Sequence, residues 1–459
     1  MMINEGYIKQ SPFAGFGGFG GGATTILLGG GGAEKYWIAV AGDSGVDHAE
    51  SNGVAVDSKG NVYVNGGDNR SSVNNGRAYI IKYSPDGELE WQRAVGTTTV
   101  YKEDLGYRAA VDSSDNAYFV VQTESSGTTG SYDLCLLKYN GDGVLQWQRF
   151  LGGTNVDLYP CLTIDSSDRV FVGLTYRTTK QDPLVALYDT SGTIQWKRHL
   201  NGGTFTKYTR DVSADSSGNV YITWDESMEY HIAKWNSSGT FQWQRARFGN
   251  GFNANWGSCT HSNGDSYIVG REGYGNFGGI MKYDAAGDYQ WAKEVYQPGA
   301  TGTAQIIFQS ADTDEDGNVY IAGRVGSTTP YIAILKIDSD GDKIWGRKIS
   351  GSGNDVAYNI KVKGEVMYIT GQTTTSGAGP INYITIKLPT DGSLLGTYGD
   401  YTYAVWLDGG GTDYRDWAPA PSNYQQNYTE DDATGATDKA GTLPDAAGFF
   451  TVATTPVEE

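Results

Sequence analysis

Six copies of a tryptophan lying two residues before a basic residue punctuate this chain: Trp91 (EWQR), Trp147 (QWQR), Trp196 (QWKR), Trp243 (QWQR), Trp291 (QWAK) and Trp345 (IWGR), with an upstream relative at Trp37 (YWIA). Counted from Trp37, the intervals are 54, 56, 49, 47, 48 and 54 residues. Between the tryptophans a second signature repeats as VDSKGNVYV, VDSSDNAYF, IDSSDRVFV, ADSSGNVYI, HSNGDSYIV, DEDGNVYIA and KGEVMYIT. A chain that repeats itself at this period is an array of one supersecondary unit. In the unit Gly53–Gly96, Val54–Asp57 leads through Ser58-Lys59-Gly60 into Asn61–Asn65. Ala78–Tyr83 then leads through Ser84-Pro85-Asp86-Gly87 into Glu88–Val95. Val, Ile and Tyr fill the strands, while Gly, Pro, Asn and Asp hold the turns, which need pre-bent or positive-φ backbone.

Four short strands per ~40–55 residues is the period of a propeller blade. A four-stranded sheet has two faces to bury and finds cover only against neighbouring blades, so the array must close into a ring. Seven copies predict an all-β, seven-bladed β-propeller over residues 36–400, preceded by a Gly-rich N-terminal arm (1–35) and followed by an acidic, irregular C-terminal extension (401–459). In its D-S-x-G-N-x-Y-x-x-G and K-Y-x-x-x-G-x-x-x-W-Q-R cores the chain resembles β-propeller repeats of phage virion proteins and bacterial secreted proteins. That resemblance spans the ring and implies the fold; such propellers host lectins, enzymes and scaffolds alike.

Trp37–Gly42 (WIAVAG) matches the last strand of a unit and is expected to complete the seventh blade, beside the strand containing Tyr383–Leu388. Ser393–Tyr398 competes for that place but lacks the tryptophan. Connections between second and third strands, such as Asp68–Arg77 and Asp225–Glu229, differ in length from blade to blade. They emerge on one face, where a propeller carries recognition.

Composition narrows the function. With 34 Lys+Arg against 53 Asp+Glu the net charge is −19, which opposes nucleic-acid or anionic-membrane binding. No apolar run approaches the ~18 residues of a membrane span, and Met1–Lys9 lacks the basic and apolar regions of a secretory signal, so classical secretion is not expected. Cys135, Cys161 and Cys259 match no metal spacing; Cys135 and Cys161 sit in apolar strand-like runs and are expected as core residues.

Candidate chemistry is sparse. Asp312, Asp314 and Asp316 resemble the start of a calcium loop, but the twelfth position holds Gly323, so turn chemistry is preferred. Recurring Asp57, Asp112, Asp165 and Asp215, with recurring Arg93, Arg149, Arg198, Arg245 and Arg347, read as structural pairs or turn caps. His48, His199, His231 and His261 form no zinc or triad spacing and no His/carboxylate cluster. Trp224 and Trp256 fall outside the repeating register and are the candidates for a sugar platform; Trp235 takes the place of Tyr83 and Tyr139 and reads as core. No catalytic residues and no cofactor are expected.

The function expected from these features is a non-enzymatic structural or attachment protein of a virus particle such as a tailed phage, tail-fibre or capsid-associated, located in the virion. The N-terminal arm would join other virion proteins through Phe13, Phe16, Phe19, Ile26, Leu27 and Leu28, since a closed ring offers no sheet edge for attachment. The variable face would meet a host glycan or receptor. A lectin-like carbohydrate-binding propeller and a glycosidase or lyase are the alternatives.

Overall fold

The first hairpin of each unit is built around its aspartate. Asp57 accepts hydrogen bonds through Oδ1 from the backbone N–H of Lys59 (3.0 Å) and Asn61 (2.9 Å), and through Oδ2 from Asn61 Nδ2 (2.7 Å) and the Tyr63 hydroxyl (3.2 Å). Asp112, Asp215 and Asp314 repeat this with their own Asn and Tyr. The motif D-S-x-G-N-x-Y is thus a turn whose cap, positive-φ corner and second-strand anchor are each a fixed residue type. In a computed structural model of the chain the described residues are 8–11, 23–29, 34–42, 48–69, 75–95, 102–123, 132–152, 155–177, 180–201, 205–226, 229–248, 254–272, 277–296, 305–377, 380–407, 414–416, 429–431 and 437–439. Among them there are strands and turns and no helix.

Seven antiparallel four-stranded blades form the ring. Blade 1 comprises His48–Val56, Val62–Asn69, Asn75–Tyr83 and Leu89–Val95, running from the central axis outward. The inner strands of blades 2 to 7 are Lys102–Val111, Leu158–Ile164, Lys207–Ala214, Ala254–Thr260, Ile306–Thr313 and Asp355–Lys363. Each packs against its neighbours, and Asp355–Lys363 against His48–Val56 closes the circle. Blade 7 takes its outer strand from the start of the chain: Tyr36–Ala41 pairs with Asn382–Pro389, Trp37 opposite Lys387. The competitor is elsewhere, since Gly396–Tyr398 pairs with Tyr401–Val405 outside blade 6.

Seven apolar clusters correspond to the seven blade interfaces. Between blades 1 and 2, for example, Tyr63, Ile80 and Trp91 meet Phe119, Leu137 and Tyr139. The recurring tryptophan and arginine latch each blade to the next. Trp91 Nε1 donates to the carbonyl of Gly141 (3.1 Å) and Arg93 Nε to that of Gly143 (3.0 Å), both in the outer turn of blade 2, while the Arg93 guanidinium lies 5.0 Å from the Trp91 ring centre. Trp147 with Arg149, Trp196 with Arg198 and Trp243 with Arg245 repeat the pattern. The aspartates are therefore turn caps, but the arginines do not pair with them: they grip backbone carbonyls one blade on. Trp91, Trp243 and Trp345 are buried; Trp147, Trp196 and Trp291 are half-buried at the rim of the interface.

The arms join the ring itself. Ala23–Gly29 pairs with Tyr36–Ala41 and Ile8–Ser11 with Ala23–Gly29, extending blade 7 outward. Ile26 and Leu28 are buried in the cluster between blades 6 and 7, and Leu27 packs against the one containing Trp37. This corrects the expectation that Ile26, Leu27 and Leu28 serve an outside partner, because the alternation of the strand sends them into two cores of their own ring. Phe13, Phe16 and Phe19 lie outside the described residues. The C-terminal extension likewise adds strands to outer edges: Tyr401–Val405 to blade 6, Tyr414–Asp416 to blade 5, Thr429–Asp431 to blade 3 and Thr437–Lys439 to blade 2. A propeller ring does have free sheet edges, the outer strands, and this chain covers several of them with its own ends.

Candidate ligand-binding site at the channel mouth

Every inner strand carries one irregularity at the same register against its second strand. The unpaired residue is Asn52 in blade 1, Tyr107 in blade 2, Arg210 in blade 4, Trp256 in blade 5, Gln309 in blade 6 and Tyr358 in blade 7. In blade 3 two residues, Tyr159 and Pro160, are set out in this way, and Tyr159 takes a φ of 55°. A β-bulge leaves its extra residue outside the ladder and re-aims its side chain. All of these residues line one cavity of about 380 Å³ at the end of the central channel. Gly67, near the end of a second strand, lines it too. The cavity therefore opens on the face that carries the connections between second and third strands.

The mouth is aromatic and rich in donors. The guanidinium carbon of Arg210 lies 5.1 Å from the Trp256 ring centre, 5.3 Å from that of Tyr159 and 5.8 Å from that of Tyr208. Its Nε donates to Asp225 Oδ2 at 2.7 Å, which fixes the plane of the fork. Trp256 Nε1 is buried and has no hydrogen-bond partner among the described residues. A donor left so is an invitation to an acceptor from outside.

Below the mouth the channel is crossed by a polar layer. Arg108 of blade 2 reaches Asp211 of blade 4, Nε to Oδ1 at 3.6 Å, and donates through Nη1 to the Asn52 carbonyl at 2.9 Å. Asn359 of blade 7 donates to the same carbonyl at 3.2 Å. Burial pushes the Asp211 carboxyl above its ordinary value, although Arg108 and the N–H groups of Ser258 and Val212 pull the other way. Beyond this layer a second cavity of about 260 Å³ continues down the channel, where the Asp312 carboxylate holds Lys361 above its ordinary value at an Nζ–Oδ2 distance of 3.0 Å.

Among the residues singled out by sequence, only Trp256 lies in this mouth. Trp224 is fully buried, its ring stacked on His231 at 5.0 Å between centroids, and offers no face to a ligand. Asp312, Asp314 and Asp316 do not converge: Asp312 accepts from Lys361 and the Val362 N–H, and Asp314 caps its turn. Among the described residues no group of three His, Cys, Asp or Glu is arranged around a common point. Cys135, Cys161 and Cys259 are buried with thiols pushed well up by that burial. Two His–carboxylate pairs escaped the sequence reading: His199 Nε2 is 3.6 Å from Asp182, which also holds Lys207, and His231 Nε2 is 3.2 Å from Glu229. Both histidines are buried within blades and neither lines the mouth.

Ring and mouth define a seven-bladed β-propeller with a cavity at one end of its channel. No family model matches the chain, and no curated protein does. Solved structures similar to it include a gluconolactonase from Xanthomonas campestris (12% identity, covering 81% of this chain and 91% of that one, TM-score 0.36). Others are the polysaccharide lyase Uly1 (10%, 76% and 91%, 0.44) and the β-propeller domain of the Trilobed protease from Pyrococcus furiosus (10%, 74% and 97%, 0.43). At these identities the likeness concerns the fold alone.

Proposed function

We propose that this chain is a non-enzymatic recognition protein that binds carbohydrate in the mouth of its channel. The observation that carries the reading is the set of seven bulges, one per blade, that deliver aromatic and amide side chains and a guanidinium to one cavity while the rest of each inner strand repeats. Aromatic faces take the apolar faces of sugar rings, and amide and guanidinium donors take hydroxyl oxygens. A volume of about 380 Å³ lies within the 300–1,000 Å³ typical of small-molecule sites. Among the described residues the lining contains no Asp, Glu, His, Lys or Cys, which leaves Tyr107, Tyr159 and Tyr358 as its only side chains of the usual general acid–base types. The ends of the chain suggest the setting: the Gly- and Phe-rich segment 12–22 suits an anchor in a virus particle such as a tailed phage, with the mouth turned to a host glycan.

The test is saturation-transfer NMR of the full chain with a panel of oligosaccharides. Transfer is expected for at least one of them and is expected to vanish in Trp256→Ala with thermal stability retained. Absence of transfer across the panel, or transfer undisturbed by the substitution, overturns the reading. The setting is checked by mass spectrometry of purified particles, where absence of the chain would remove it.

A further inference from the structure

We infer that the sugar taken by this mouth carries a carboxylate, received by the guanidinium of Arg210. The inference deepens the carbohydrate reading and rests on it.

Arg108 and Arg210 are the only charged side chains lining the cavity among the described residues, and both are cationic. They differ in what they have left to give. Arg108 is engaged at the floor, with Nε toward Asp211 and Nη1 on the Asn52 carbonyl. Arg210 is held by stacking and by one edge only. Tyr159, Tyr208 and Trp256 lie around it within 5.8 Å, and Asp225 takes Nε. Among the described residues its two Nη groups have no partner. A planar guanidinium fixed by aromatic stacking and one carboxylate keeps a second edge, and that edge matches a carboxylate bidentately. The neighbouring Trp256 Nε1, buried and unpartnered, adds a donor on the same side of the cavity. Donors without acceptors call for a ligand rich in acceptors, and an acidic sugar has more of them than a neutral one.

Charge also limits the ligand. The chain carries a net charge of −19, so a densely charged polyanion is repelled at long range. A single carboxylate on a sugar ring avoids most of that repulsion and still gains the fork at contact. The class that fits is a glycan that places one carboxylate in the mouth, with uncharged sugars beside it and no sulfate or phosphate.

The experiment is isothermal titration of the full chain with a tetrasaccharide of alternating glucuronic acid and N-acetylglucosamine, and with the same tetrasaccharide after reduction of its carboxyls to hydroxymethyl groups. The acidic form is expected to bind at least tenfold more tightly. Arg210→Met is expected to remove that preference by weakening the acidic form several-fold more than the reduced form. Arg210→Lys, which keeps the charge and loses the fork, is expected to fall between and serves if the methionine variant unfolds. Equal binding of the two sugars, or an equal loss for both in the Arg210 variants, overturns the carboxylate assignment and leaves carbohydrate recognition standing. Failure of both sugars to bind, with transfer from neutral glycans in the NMR panel, also overturns it alone. Failure of every glycan overturns the reading beneath it.

Discussion

Gly143 lies flat against the indole of Trp91, so closely that a Cβ on the glycine would come within 2.8 Å of the ring. Its φ is +73°, and the glycine of each following outer turn, Gly192, Gly239, Gly287, Gly341 and Gly392, meets the tryptophan of the preceding blade in the same way. The W-Q-R motif and the turn glycine some fifty residues later are thus two halves of one joint. Gly143→Ala is expected to destabilise by about 2–4 kcal/mol, the sum of a forced contact and a left-handed backbone. Trp91→Ala is expected to cost about 3–5 kcal/mol through the cavity it leaves. Chemical denaturation of both variants checks this; a double variant as costly as the two losses added together would show that they do not share a joint.

The two tryptophans outside the repeat should separate cleanly. Trp224→Ala, at a site with no exposed surface, is expected to cost about 3–5 kcal/mol. Trp256→Ala is expected to change the melting temperature by no more than a few degrees and to remove glycan binding. Melting curves alongside the NMR titration decide it, and a large stability loss in Trp256→Ala with binding retained would assign that residue to packing.

Acid should loosen the ring at its turns. In blades 2 and 3 an aspartate, Asp115 or Asp168, stands where the other blades place glycine: Asp115 holds a φ of 62° and receives the backbone N–H of Ser58 from blade 1 at 2.8 Å and its hydroxyl at 2.9 Å. The Ser58 N–H, followed by the hydroxyl and the charge of Lys59, holds the Asp115 carboxyl below the usual range. A pKa lower in the folded state than in the unfolded one, near 3.9, gives stability that is present above that value and lost as pH falls through and below it. Asp115→Asn, which tolerates the same backbone, should therefore lower the melting temperature more at pH 7 than at pH 3. An equal deficit at both would show that the charge of Asp115 contributes nothing.

Truncation from the N-terminus should act in two stages. Removing residues 1–32 deletes Ile26 and Leu28 from the cluster between blades 6 and 7, and a folded ring of lower melting temperature is expected. Removing residues 1–42 also takes Tyr36–Ala41 and leaves Asn382–Pro389 as a bare edge; loss of the cooperative transition, or self-association through that edge, is expected. Circular dichroism and size-exclusion chromatography distinguish the two, and a monomeric 43–459 chain of full stability would contradict the closure.

The ring was legible in the sequence because its turns and joints repeat: Asp57, Gly60 and Asn61, then Trp91 and Arg93, each recur with their spacing. The mouth was not, for the converse reason. Asn52, Tyr107, Pro160, Arg210, Trp256, Gln309 and Tyr358 all stand five residues before the first residue of the hairpin turn, a constant place with changing occupants. Reading for repetition discards such a position; reading for its failure at one fixed place would have found it. Arg93 was misassigned because its partner is a backbone carbonyl in the next blade, and a carbonyl has no letter in the sequence. The pairs His199 with Asp182 and His231 with Glu229 bring together residues on facing strands or across a tight turn, where sequence spacing gives no fixed signature.

Closing blade 7 with Tyr36–Ala41 also sets an order in time. The partner strand Asn382–Pro389 is synthesised about 340 residues later, on the order of tens of seconds at typical elongation rates. Throughout that interval an apolar strand bearing Trp37 must stay out of wrong pairings on a half-made chain. The Lys35 that precedes it, an exposed charge at the start of the strand, is the kind of residue that discourages edge pairing in the meantime. The step most exposed to error in making this protein is therefore the meeting of the Trp37 strand with one made near the end of the ring, and chaperone demand should fall there.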